Sequence, residues 1–407
     1  MKWKFPAVVC LTILLTAVIT APVMAQKPIK LGFVYIMSGP FAAYGQFAKE
    51  GAQLAVDEIN KAGGINGRQV EAYFEDSTGK PEVAIRAIRK LVFQEEVDCL
   101  IGLDSSGVAN TVAPSIPQFK TPLIITHAAT PDVTGKNCNK YVFRISVDIA
   151  QNLKAAALLA ADTDVKKWTT IGPDYAFGHQ SWEFFEKYMK ELKPDAAMAG
   201  ENEVIFPPFK TTDFSAYINQ AMQSDADGFL ISLWGGNLID FVRQATQMGF
   251  FDGKRTVLAT LGAATEVLSA LGDKMPLGIW VGSRYWFLAN DSKMNRAFVE
   301  AYKGRYDNYP SYNSQGAYGA VYTYKAAAEK AQSAEKEAVI QALEGLTLEL
   351  PVGRITIRPG DHQAVTDVTW GQTAADPEYD IRILKPFRVF EGEKVTPPVS
   401  ETGCNLQ

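Results

Sequence analysis

From residue 29 onward, apolar residues fall alternately into short continuous runs and into stretches with helical spacing. Residues 29–36 read as a strand. Phe47, Gly51, Leu54, Ala55 and Ile59 then recur on one helical face, and that helix stops at Gly63-Gly64. A strand follows at 70–74. Pro81 opens a helix whose apolar stripe is Ala84, Ile85, Ile88, Leu91 and Val92. Next come a strand at 97–101, an alanine- and valine-rich helix led by Ser105-Ser106, and a strand at 123–126. Strands alternating with helices in this way predict a parallel sheet covered on both faces.

The alternation then repeats. Strands are expected at 168–171, 227–233 and 257–259, and helices at 180–192, 214–222 and 238–248. Beyond these the pattern changes to a strand at 278–282, helices at 295–305 and 316–331, and extended segments at 354–358, 365–370 and 381–390. The fold class is therefore α/β, with two doubly wound units in series and extra segments shared between them. Sheets of this kind bind ligands beyond the carboxyl ends of their strands. Five loops occupy such ends: Ser38-Gly39-Pro40, Ser105-Ser106, Thr126-His127-Ala128, Pro173-Asp174-Tyr175 and Trp234-Gly235-Gly236. If the two units face each other, these loops line one cleft. The serine pair has two readings, a side-chain cap for the helix that follows or donors to a bound anion.

Composition narrows the class. Lys2 and Lys4 precede an apolar run at 7–19 and the small-residue stretch Thr20-Ala21-Pro22-Val23-Met24-Ala25, which reads as a secretory signal cleaved after Ala25. The whole chain carries a net charge of −5, and loss of the two lysines makes the product more acidic still. An acidic, evenly mixed chain argues against nucleic acid and anionic membrane surfaces as partners. A length of 407 residues suits two domains rather than one core. Cys99 sits in an apolar strand, whereas Cys138 and Cys404 lie in polar, turn-like stretches; an exported protein would bridge the latter two. The histidines, His127, His179 and His362, have no neighbouring ligand residues, and no metal or cofactor is expected.

The loops resemble those of the periplasmic binding proteins of the branched-chain amino-acid (type I) ABC importers. The resemblance rests on SGPFAAYG (38–45), GAQLAVDEINKAGGINGR (51–68), GLDSSGVANTVAP (102–114), THAATPDVTG (126–135), DYAFGHQ (174–180) and the stretch 214–236. It covers nearly the whole mature chain. It implies two lobes, 26–146 with 276–357 and 147–275 with 358–407, hinged where the chain crosses near Ser146, Met275 and Arg358. It also implies a monomer in the periplasm that hands a small ligand to an inner-membrane permease. In that family the helix-opening serine, here Ser106 beside Ser105, grips the ligand carboxylate. The Ala128 backbone and the Thr130 hydroxyl assist it.

The departures point to the ligand. Amino-acid binders keep an acid after the strand at 257–259, where this chain has Thr260 or Leu261; Glu266 lies a turn further on, in a position that reads as a polar helix face. A second-lobe tyrosine is replaced by Phe177, with Tyr175 near it, and Asn237 and Leu238 stand where aromatics are common. An ammonium facing apolar walls would be left unpaired. The expected ligand is a carboxylate without an α-amino group, an aromatic or apolar acid clamped by Tyr44, Phe177, Trp234 and Tyr312. Asn237, Asn313 or His127 would bond a ring substituent. Asp104, preceding the serines, leaves open an ammonium instead. Two other classes compete: a hydrolase using Ser106, His127 and Asp104, which lacks the strained nucleophile elbow, and a non-transport sensor of the same fold.

Overall fold

The computed structural model describes residues 1–3 and 27–406. The apolar run of the expected leader and its cleavage point lie outside the described residues. Five strands, β1 (Ile29–Tyr35), β2 (Val70–Asp76), β3 (Cys99–Gly102), β4 (Leu123–Ile125) and β5 (Val142–Arg144), form one parallel sheet in the order β2-β1-β3-β4-β5. β3 is buried at every position, as a parallel strand covered on both faces must be. A second sheet has the order β15-β14-β10-β9-β8-β6-β7. It contains β6 (Lys167–Ile171), β7 (Ala197–Met198), β8 (Gly228–Ile231), β9 (Thr256–Ala259) and β10 (Trp280–Ser283), all parallel, closed on one side by antiparallel β14 (Val368–Ala374) and β15 (Ile383–Phe390). Strands β11 (Thr347–Leu350), β12 (Gly353–Ile357) and β13 (Ala364–Val365) make a small antiparallel sheet.

Sheet membership relocates two of the expected crossings. β10 pairs with β9 and β14, so the chain leaves the second sheet after Ser283 and not at Met275. Ala364 still pairs with Ile357, so the last crossing falls at Thr366-Asp367 rather than Arg358. The expected bridge is present in the tail. Cys138 and Cys404 are disulfide-bonded, which ties residues near the C-terminus to the loop before β5, while Cys99 is buried and free.

Two helices of eight residues or more, Ile149–Ala161 and Lys336–Leu343, escaped the periodicity. Ile149–Ala161 is apolar almost all round and packs between the helix Ala176–Leu192 and β14, so it carries no polar face to mark its period. Its start is nevertheless written in the sequence. Asp148 accepts from Gln151 N–H at 2.7 Å while the Gln151 side chain accepts from Asp148 N–H at 2.9 Å, a reciprocal cap. Among the described residues, no helix is long and apolar enough to cross a membrane.

The crossings are held by Arg144. It is fully buried and donates to Gln363 Oε1 (2.6 Å), Thr130 O (2.5 Å), Thr134 Oγ1 (2.7 Å) and Asp148 Oδ2 (3.1 Å). Burial lowers its pKa to about 10, partly offset by Asp148.

Candidate functional site

Beyond the carboxyl ends of both sheets lies a small, tightly closed cavity, lined by Tyr44, Asp104, Ser106, His127, Ala129, Tyr175, Phe177, Trp234, Leu261, Arg284 and Tyr312. The loops after β3 and β4 supply its polar groups, and the loops after β6, β8 and β9 supply an aromatic and aliphatic wall. Arg284 follows β10 directly.

The walls touch through aromatic rings. Trp234 packs at a tilt against Phe41 (4.2 Å between centroids) and Tyr44 (5.3 Å), and Tyr44 meets Tyr312 edge-on at 5.9 Å. Tyr44 Oη accepts the Gly235 N–H at 3.1 Å, and Trp234 Nε1–H donates to Tyr175 Oη at 2.9 Å. The approach is close enough to require glycine. A Cβ on Gly236 would lie 2.6 Å from the Pro40 carbonyl oxygen, and Gly235 adopts φ +53°.

Of the residues expected at the site, Tyr44, Ser106, His127, Phe177, Leu261 and Tyr312 line this cavity. Ser105, Ala128, Thr130, Asn237 and Asn313 are not among the residues that line it. The Ala128 N–H donates to Leu103 O at 2.8 Å. The Thr130 hydroxyl donates to Asn110 Oδ1 at 3.1 Å and accepts from Asp132 N–H at 3.3 Å. Asn237 Nδ2 donates to Thr211 O at 2.6 Å, and Asn313 Nδ2 donates to Glu266 Oε1. Ser105 stands at the helix N-cap position without making a side-chain cap bond. Ser106 Oγ accepts the Thr130 N–H at 3.2 Å, which leaves its O–H free to donate into the cavity.

His127 is saturated by the protein. Its Nε2–H donates to the Asn313 carbonyl at 3.0 Å, so Nδ1 accepts the Thr126 hydroxyl at 2.6 Å. Burial pushes its pKa down to about 3, and the ring is neutral. It therefore offers a ring face and has no spare donor for a ligand. No nitrogen remains to take a proton from Ser106, so the serine, histidine and aspartate do not form a relay.

Three buried charges were read differently or overlooked. Glu266, expected on a polar helix face, is 5% exposed; its Oε2 has no partner, and burial raises its pKa to about 7. Asp104 accepts the Ile36 N–H at 2.6 Å through Oδ2, while its buried Oδ1 has no partner; burial raises its pKa to about 7. Arg284 is the residue that sequence reasoning missed. It is 6% exposed, donates Nη1–H to the His127 carbonyl, and has an unpartnered Nε. Its guanidinium lies 5.3 Å from the Tyr312 ring centre, and it makes no ion pair among the described residues. The signal was present: a lone charge in the aromatic run Ser283-Arg284-Tyr285-Trp286-Phe287, at the carboxyl end of a strand. Placing the crossing at Met275 assigned that strand to the other lobe and removed its loop from the cleft.

Two facing α/β sheets, linked by crossings behind a cavity at their carboxyl ends, define a two-lobed solute-binding protein. The family described as periplasmic binding protein matches residues 28–377, and this chain belongs to it. The Leu/Ile/Val-binding protein BraC3 of Rhizobium johnstonii is 29% identical over 350 residues, covering 85% of this chain and 92% of that one. The amino acid ABC transporter substrate-binding protein of Pseudomonas fluorescens Pf-5 superposes with a TM-score of 0.82 at 25% identity, over 94% of this chain and all of that one. A solute-binding protein of Rhodopseudomonas palustris BisB5, solved with 3,4-dihydroxy benzoic acid, superposes with a TM-score of 0.81 at 24% identity, over 92% of this chain and 99% of that one. The protein is thus a periplasmic solute-binding component of ABC transport, not an enzyme.

Proposed function

We propose that the lobes close on a small aromatic or apolar monocarboxylate and present it to an inner-membrane ABC permease. The observation that carries this is Arg284: a buried guanidinium at the cavity, with one protein hydrogen bond and no acid beside it. A buried cation left unpaired costs several kcal/mol, and a ligand carboxylate removes that cost. The Ser106 O–H is a second donor, and Tyr44, Tyr175, Phe177, Trp234 and Tyr312 offer faces for a planar body. Leu261, which with Thr260 stands where amino-acid binders keep an acid, adds an apolar side chain to the lining.

In this reading the mature protein begins at Gln26, acts as a monomer, and bends at Ser146, Arg284 and Thr366. A second reading, an amino-acid ligand, is favoured by Asp104, whose free oxygen would accept an ammonium. It is also what the name of the Rhizobium johnstonii relative would suggest. Calorimetry of the purified mature protein with benzoate, 4-hydroxycinnamate, leucine and phenylalanine separates the two. Micromolar binding of an acid without binding of either amino acid is the expected result. The reverse pattern would mean that Asp104 or Glu266 holds an ammonium, and would end the aromatic-acid reading.

A further inference from the structure

The cavity holds two unpaired charges of opposite sign that do not pair with each other. Arg284 is fixed to the His127 carbonyl. Asp104 is fixed to the Ile36 N–H, with Oδ1 3.8 Å from His127 Nδ1. That nitrogen cannot donate to the carboxylate, because it already accepts the Thr126 hydroxyl. The neighbouring acid, Asp76, is held by the Met37 and Thr78 N–H groups and adds only repulsion. Among the described residues, no donor reaches Asp104 Oδ1, which is buried and on the cavity wall. An acceptor left in this state favours any ligand that brings a donor to it.

Resting on the aromatic-carboxylate reading of the cleft, we propose that Asp104 is a specificity residue. It accepts a hydrogen bond from a hydroxyl of the ligand, so the preferred ligand is a hydroxylated aromatic acid. Arg284 is held at the His127 carbonyl and Asp104 faces the His127 ring nitrogen, so the cavity offers one group for an anion and another for a hydrogen-bond donor. A hydroxyl also suits an acid whose pKa sits near neutrality, since it bonds the neutral and the ionised form alike.

The test measures affinities of wild type, Asp104→Asn and Asp104→Ala for benzoate, 4-hydroxybenzoate and phenylalanine, with thermal melts confirming that each variant is folded. Wild type should bind 4-hydroxybenzoate roughly 10- to 100-fold more tightly than benzoate, the scale of one hydrogen bond to a charged group. Asp104→Ala should shrink that ratio to within about threefold, with Asp104→Asn, which keeps an acceptor oxygen, falling between. Equal wild-type affinities for the two acids, or a ratio that persists in Asp104→Ala, would overturn the proposal. So would phenylalanine binding that disappears in Asp104→Ala. Failure of the underlying reading looks different: neither acid binds the wild type at all.

Discussion

Two arginines are buried on either side of the loop after β4, and they are provided for in opposite ways. Arg144 meets an acid, two side-chain oxygens and a backbone carbonyl at hydrogen-bond distance. Arg284 meets one carbonyl. Both have been taken out of water, and the guanidinium keeps its charge in both places. The first is a structural joint: it fastens Thr130 and Thr134 to Asp148 and Gln363, on the two sides of a crossing. The second is an incomplete pair whose missing member must come from outside the chain. Burial alone does not distinguish a structural charge from a binding charge; the number of satisfied donors does.

Replacing each arginine by methionine would break or sharpen this contrast. Arg144→Met leaves the Asp148 carboxylate buried without its cation, and should destabilise the protein by about 3–5 kcal/mol in denaturant titration, with or without ligand. Arg284→Met strands no acid. Its ligand-free melting temperature should hold or rise, while affinity for a carboxylate ligand falls by about 2–5 kcal/mol in calorimetry. Equal loss of stability in the two variants would show that Arg284 is a second joint and not a ligand contact.

The legibility of the molecule followed the same division. The strand–helix alternation was readable because parallel strands must be apolar throughout and their cover helices must be amphipathic. The helix Ile149–Ala161 was lost because it is buried on nearly all sides and so has no period to read. The crossings were misplaced because β10 and β13 are short, and sheet membership is decided by partners far away in sequence. Within the cleft, the resemblance located Ser106 and the aromatic ring faces, since loop position at a strand end fixes which residues can reach a ligand. It did not give the hydrogen-bond assignments. Nothing in the sequence says that Thr126 and Asn313 use up both nitrogens of His127, or that the Ala128 N–H belongs to Leu103. Arg284 fell between the two kinds of information: its type and setting were visible, but its lobe was not.

The smallest expected effect concerns the other unpaired charge. Burial lifts Asp104 from its ordinary 3.8 to about 7. The folded protein therefore keeps that proton between about pH 4 and pH 7, where the unfolded chain has already released it. Stability from this group is fully present below the unfolded value and is lost as pH rises through the folded one. Glu266, lifted to about 7 for the same reason, works in the same direction. His127, held neutral with a pKa of about 3, works in the opposite direction and costs stability as pH falls below its ordinary 6.5. The wild-type profile sums all three, so the informative curve is its difference from Asp104→Asn. Without ligand, the variant should match wild type near pH 4 and be more stable by about 1–2 kcal/mol at pH 8, less than full burial implies because an open cleft rehydrates the carboxylate. Chemical denaturation at the two pH values measures this. A variant less stable than wild type at pH 8 would mean that Asp104 is ionised and paired in the folded state, and that its contrast with the satisfied acid Asp148 is false.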